Sequence, residues 1–483
     1  MYKLGGCRES CRESSPLALV LIFFVCFSYH TYANAVVAGA YYVSGSGSDS
    51  NDGLSRNEGG DGPWRTIQHA AQTLTAGETV YIREGTYSEY APIQGSSKVW
   101  GVRPKNSGTA NGYISYIAYP GERVILDTNF QSACFTLYGI KYVRIEGFEM
   151  RNCSGAGIWV RSGSSTENSH IVLNANHIHG INDSAGRNVA GIRMDHVGYS
   201  TISNNIIHNV RVGGEHNGNA AGVLSYRMHN VIIENNEFFD IFSGIFHKAP
   251  ANEVRKSGIF RKNLFHDTSR AIYINTNETI SGYHNGTEVS HNVVYDSGRF
   301  IYDHTHQAKI QNTGLKVYNN TIIGTEFGIR GFDKVEFYNN ILVDGAGVST
   351  TYQSHVFSSS NTRKAPSILL SDYNLYSADF VARIGIYSGD EKKFSSLKSW
   401  QDSGALFTID VGASGADAHS IIADPMFVNR SLRDYRLQKS SPAKTMGVGG
   451  GAVGAYVNNN DIIGPVISRF TDTPSLPVSP VLF

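Results

Sequence analysis

The sequence predicts an all-β chain whose mature part is one solenoid, a single-stranded parallel β-helix. Three observations carry that expectation. A short phrase recurs at a near-constant period, a second phrase recurs out of step with it, and both alternate apolar and polar residues over runs too short for helices. The first phrase ends in Asn followed by two mostly apolar residues, as in TISNNII, VIIENNEF and KVYNNTI. Its last Asn falls at Asn176, Asn205, Asn236, Asn263, Asn292, Asn320 and Asn340, with spacings of 29, 31, 27, 29, 28 and 20 residues. An earlier copy, VRIEGFEM, sets Gly147 in the same place, and Asn374 follows after a longer insertion. The second phrase runs through GIWVR, GIRMD, GVLSY, GIFHK, AIYIN, FIYDH and GIRGF, so each coil holds at least two short strands. One such coil cannot bury its own apolar face and must stack on copies of itself with parallel pairing. The Asn column reads as a turn device, because Asn tolerates left-handed backbone and its amide pairs with the same amide one coil away.

The remaining elements follow in chain order. Residues 1–35 read as a signal peptide: Lys3, Arg8 and Arg12 precede the apolar run Leu17 to Phe27, and Ala33-Asn34-Ala35 offers a small-x-small cleavage site. Residues 36–130 hold a first strand, a capping helix and the first coils. In TIQHAAQTL the side chains of Ile67, Ala70, Ala71 and Leu74 share one helical face. Residues 131–380 are the main coils, 381–463 the last coils and a cap, and 464–483 an extended tail with Pro465, Pro474, Pro477 and Pro480. The mature chain is expected to be secreted or periplasmic, free of the membrane once the signal is removed, and monomeric. Its 41 basic and 41 acidic side chains leave no basic field for nucleic acid. Cys134 and Cys153 remain after signal removal, 19 residues apart, and that spacing leaves open a disulfide between coils or two thiols stacked in the core.

Alternation also sorts the side chains of the second phrase. With Ile158, Ile192, Val223, Ile245, Ile272, Ile301 and Ile329 pointing inward, the next residues form an outward row: Trp159, Arg193, Leu224, Phe246, Tyr273, Tyr302 and Arg330. Two positions on lies a second row: Arg161, Asp195, Tyr226, Lys248, Asn275, His304 and Phe332. Aromatic faces stack on sugar rings and arginine pairs with carboxylates, so the two rows suit an acidic glycan. Trp159, Arg161, Tyr273, Asn275, Tyr302, His304 and Arg330 are the expected substrate contacts. Lys248, the one lysine in the rows, is the candidate base.

The opening segments YYVSGSGSDSNDGLS and GPWRTIQHAAQTLTAGETVYIREGTY, with the closing DAHSIIADPMFV and DYRLQKSSPAKTMGVG, resemble the ends of pectate-lyase-like right-handed parallel β-helix proteins. The resemblance implies a right-handed coil and a fold shared by polysaccharide lyases, glycoside hydrolases and epimerases, among which fold alone does not choose. DIFSGIFHK also resembles the lysine-bearing strand of family-nine polysaccharide lyases, placing Asp240, Gly244 and Lys248 in that pattern. Family-six lyases pair a base lysine with an arginine about one coil later, a place that Arg270 fills, although it starts its strand outside the outward rows. Both families hold calcium on acidic clusters. Calcium is a candidate cofactor here, with Asp195, Glu215 and Asp240 as candidate ligands and Asp267 also near, but these do not make a full set.

These residues lead to a lyase that cuts uronate polysaccharide by β-elimination, with Lys248 as base, Arg193 and Arg270 neutralising the carboxylate and Tyr226 assisting proton transfer. Hydrolysis is the enzymatic alternative, and it needs two carboxyl groups about 5 to 10 Å apart. The rows supply only Asp195, so a glycosidase would draw on the turn residues Glu215, Asp183 and Glu253. A non-catalytic carbohydrate-binding protein would use the aromatic rows alone.

Overall fold

The computed structural model describes residues 39–57, 61–92, 99–162, 167–184, 188–248, 258–276, 285–305, 313–330, 332, 334–343, 355–359, 368–377, 382–386, 392–394, 396–402, 417–458, 461 and 463–465. The expected signal peptide, Glu253 and nearly all of the proline-containing tail lie outside them. Among the described residues the strands form three long sheets of 13, 12 and 11 strands, parallel except for the last pair of the third. A coil contributes one strand to each, one more than the two phrases required. The third sheet, here the site sheet, includes Phe135–Tyr138, Ala156–Arg161, Val189–Asp195, Ala220–Tyr226, Ile241–Lys248, Thr268–Thr276 and Arg299–Thr305, each paired with the next.

One core runs through the stack. Ile158, Ile192, Val223, Ile245, Ile272 and Ile301 are fully buried in it, as alternation requires. The helix Ile67–Thr73 forms where expected. Thr66 caps it by accepting a hydrogen bond from the His69 amide, and Ile67, Ala70, Ala71 and Leu74 join the core. Cys134 and Cys153 are joined as a disulfide with their Cα atoms 5.9 Å apart, tying neighbouring coils.

The Asn column is a continuous ladder of buried amides. In Asn236, Oδ1 accepts from the backbone N–H and the Nδ2 of Asn205, both at 2.9 Å, and its own Nδ2 donates to Asn263 Oδ1 at 3.1 Å. The pattern repeats from Asn176 to Asn374, all fully buried. The left-handed backbone sits one residue earlier than expected, at Ala175, Asn204, Asn235, Lys262, His291, Asn319, Asn339 and Tyr373. The ladder Asn is the hydrogen-bonding residue, and its predecessor makes the bend. Gly147, with φ of 83°, therefore fills the bend position of its coil, and Phe148 takes the ladder position, its amide donating to Asn176 Oδ1.

Candidate active site

The outer face of the site sheet carries the two expected rows in register. Trp159 pairs with Arg193, then Leu224, Phe246, Tyr273 and Tyr302 follow coil by coil. Beside them run Asp195, Tyr226, Lys248, Asn275 and His304. Two expectations fail at the far end. The register shifts between Arg299 and Tyr302, so Tyr302 faces Gly328 and Arg330 lies two residues beyond the first row. Consecutive Phe300 and Ile301 are both buried, which takes up the extra residue of that bulge. Phe332 is buried in the core instead of outward. The side chains of His304 and Arg330 lie outside the described part of the structure.

The first row is also less open than alternation alone suggests. Leu224, Phe246 and Tyr273 are buried and form, with Ala190 and Ala221, a small apolar cluster outside the main core, edged by Tyr226 and Tyr302. Phe246 and Tyr273 stack with ring centroids 4.2 Å apart. Arg270 reaches the same face because Ala271 and Ile272 are both buried in succession, a break in alternation that turns Arg270 outward. Its guanidinium lies over Tyr273 at 4.4 Å and Tyr302 at 4.5 Å, and burial lowers its pKa.

Lys248 ends its strand on this apolar patch, its Nζ 4.4 Å from the centre of the Phe246 ring and 4.7 Å from that of Tyr226. Nζ donates to Asn188 Oδ1 at 2.7 Å and to Tyr226 Oη at 2.8 Å. Tyr226 in turn donates to Asn188 Oδ1 at 3.1 Å, closing a triangle. Burial pushes the Lys248 pKa down to about 8, helped by the nearby Arg193 cation and opposed by Asp195. Burial raises that of Tyr226, so its hydroxyl keeps its proton. Asn188 is the residue that sequence reasoning missed. It lies just before Val189–Asp195, 60 residues from Lys248, and no repeated phrase includes it.

Arg193 is held on the other side of the triangle. It pairs with Asp195 at 3.3 Å, donates to the Asn188 carbonyl at 3.4 Å and lies over Trp159 at 4.7 Å. Asp195 also accepts the Trp159 indole N–H at 2.9 Å. Asp195 is thus an orienting group for Arg193 and Trp159. His247 is fully buried and bonded through Nδ1 to Ser225 Oγ, on the opposite face from Lys248.

The candidate calcium ligands do not form a set that fits the ion among the described residues. Asp240 is bound by Arg211 through both oxygens, at 2.7 and 2.8 Å, and lies 3.2 Å from His216. Glu215 is exposed on a turn, and Asp195 already serves two partners. No group of three or more His, Cys, Asp or Glu among these residues is disposed to hold a metal.

Comparison with known proteins agrees with this architecture. A family model described as the Pel9A-like right-handed β-helix region matches residues 41–240, which include Trp159, Asn188, Arg193, Asp195 and Tyr226 and stop short of Lys248. An uncharacterized protein of Bacillus subtilis (strain 168), YwoF, is 27% identical over 86% of this chain and 94% of its own length. Pectate lyase PEL9 of Emericella nidulans is 40% identical over 93 residues, 19% of each chain. The crystal structure of pectate lyase Pel9A superposes with a TM-score of 0.51 at 16% identity, covering 86% of this chain and 96% of that one. With three parallel sheets, a buried Asn ladder and these matches, the chain has the right-handed parallel β-helix fold, and its residues 41–240 are similar to the Pel9A-like family.

Proposed function

We propose that this protein is an exported lyase that cleaves a uronate-containing polysaccharide by β-elimination, with Lys248 as the base. The single observation that carries the reading is the Lys248, Asn188 and Tyr226 triangle. A neutral amine has two N–H bonds and one lone pair. Here both N–H bonds have acceptors, Asn188 Oδ1 and Tyr226 Oη, so the lone pair takes the remaining direction. A pKa of about 8 leaves a useful neutral fraction near physiological pH.

In the proposed reaction the Nζ lone pair takes the proton from the carbon next to the uronate carboxyl. The electrons of that C–H bond form a carbon–carbon double bond, and the adjacent C–O glycosidic bond breaks. The leaving oxygen takes a proton from the Tyr226 hydroxyl or from water. Negative charge that builds on the carboxylate meets Arg193, which Asp195 and Trp159 hold in place, and Arg270 further along the face. Hydrolysis finds less support, since Asp195 is the one carboxylate in the described outward rows and is tied to Arg193 and Trp159.

The experiment is to incubate the purified protein with pectate, alginate and glycosaminoglycans, following both the ultraviolet absorbance of the new double bond and the release of reducing ends. Elimination raises both together. Reducing ends without the absorbance would replace the lyase reading by hydrolysis, and retention on the glycan with no products would replace it by binding.

A further inference from the structure

Resting on the lyase reading, we infer a second anchoring site for acidic sugar at the N-terminal end of the same face, built by Trp100, Arg103, Tyr138 and Arg161. Tyr138 and Arg161 are paired across neighbouring strands, and Tyr138 is 37% exposed. The Trp100 and Tyr138 rings meet edge to face with centroids 6.1 Å apart. Arg103 lies over both, 5.0 Å from Trp100 and 5.3 Å from Tyr138. Arg161 spans Trp100 at 5.6 Å and Trp159 at 4.9 Å, linking this platform to the Arg193 side of the base site. The backbone beneath is fixed from the helix Ile67–Thr73: the Arg103 N–H donates to Gln68 Oε1 at 2.9 Å, and the Arg103 carbonyl accepts from Gln72 Nε2 at 2.9 Å.

The charge pattern identifies the ligand class. Many arginines of the described structure meet carboxylates, as in the pairs Arg83 with Glu122, Arg123 with Glu149, Arg211 with Asp240 and Arg261 with Glu234, whereas Arg270 at the proposed reacting end lies on aromatic rings instead. Arg103 and Arg161 have no carboxylate partner among the described residues, and each lies against aromatic rings. A guanidinium without an anion beside a partly exposed ring is suited to a sugar carboxylate whose ring stacks alongside. Four strand spacings separate Tyr138 from the Lys248 strand, about 19 Å at about 4.8 Å each. The ligand is therefore a polyanionic chain long enough to bridge this platform and Lys248 at once, and the platform supplies affinity for long chains without touching the reacting bond.

The test uses the full-length protein carrying Lys248→Ala, which keeps the glycan intact, in native gels cast with polygalacturonate, alginate or neutral xylan. Retardation by at least one polyanion and none by xylan is expected, with Arg103→Glu weakening the retardation about tenfold and Arg161→Gln acting in the same direction. An unchanged thermal midpoint checks that each variant is folded, and the two arginines can be read independently. Retardation by neither polyanion, or equal retardation of folded Arg103→Glu and its parent, would overturn the inference. In the otherwise unaltered chain, Arg103→Glu should lower kcat/KM on polymer and leave a trisaccharide, too short to span the distance, unaffected; equal losses on both would also overturn it. If the unaltered chain forms no unsaturated product but its retardation still depends on Arg103, the lyase reading fails and the anchoring site stands.

Discussion

At Lys248, geometry and charge point the same way. The ammonium is stripped of water by Phe246 and Tyr226 and held near the Arg193 cation, both of which favour the neutral amine. A base must be neutral, so kcat/KM should rise with pH as the proton leaves, with an apparent pKa of about 8 and a plateau above it; a pH–rate profile on the cleaved polymer measures this. Asn188→Asp puts a carboxylate where Nζ now donates at 2.7 Å, which favours the charged amine. The limb should then move to higher pH by about one unit or more, whereas a purely structural defect would lower the plateau and leave the midpoint in place. The place of Lys248 on the outer face was legible in the sequence, because it is the only lysine in two rows that alternation defines. Asn188 was not, since its role depends on how a loop ahead of one strand folds toward a side chain two coils on.

At the scale of the element, the Asn ladder and the disulfide set the stacking. Asn236→Ala would leave the two N–H donors of Asn205 and the Ile202 carbonyl, which accepts from Asn236 Nδ2 at 3.0 Å, without their buried partner. The expected cost is about 3 kcal/mol in denaturant unfolding, and a change within a few tenths of a kcal/mol would contradict the ladder's structural role. Opening the Cys134–Cys153 bond by reductant should lower the thermal midpoint, in keeping with roughly 3 kcal/mol for a loop of this size. The ladder was visible as a period of Asn residues. The phase of its bends was not, because a left-handed residue carries no fixed side-chain signature: Ala175, Lys262, His291 and Tyr373 all occupy bend positions. Bulges were equally hidden. Alternation read from GIRGF could not show that Arg330 slips out of the first row, since the residue that actually meets Tyr302 is a glycine with no side chain to mark its face.

For the whole molecule, the sheets differ in what they do with their outer faces. The second sheet holds a histidine pair, His177, which is buried, and His208, which is partly buried, with Nε2 atoms 2.9 Å apart. Burial pushes the first down to about 3 and the second to about 4, with His179 adding to each shift. Their folded pKa values lie below the unfolded value of about 6.5, so the unfolded chain binds more protons as pH falls. The stability these neutral imidazoles contribute is fully present above about 6.5 and is lost as pH falls toward the folded values. Thermal midpoints should therefore decline between about pH 6.5 and pH 4, and His208→Phe, which extends the stack with Phe239 at 4.4 Å, should flatten that decline. The site sheet carries on its outer face the proposed base, with Lys248 between an aromatic patch and a paired arginine.

The most direct measurement of that arrangement is product absorbance from acidic polysaccharide for the unaltered chain and for Lys248→Ala, side by side at a pH above 8. Unsaturated uronate is expected from the first and a loss of at least about a thousandfold in the second, within the range that a positioned base contributes. Undiminished elimination by Lys248→Ala would contradict this expectation, because His247 is fully buried on the other face and no second base stands in the described triangle.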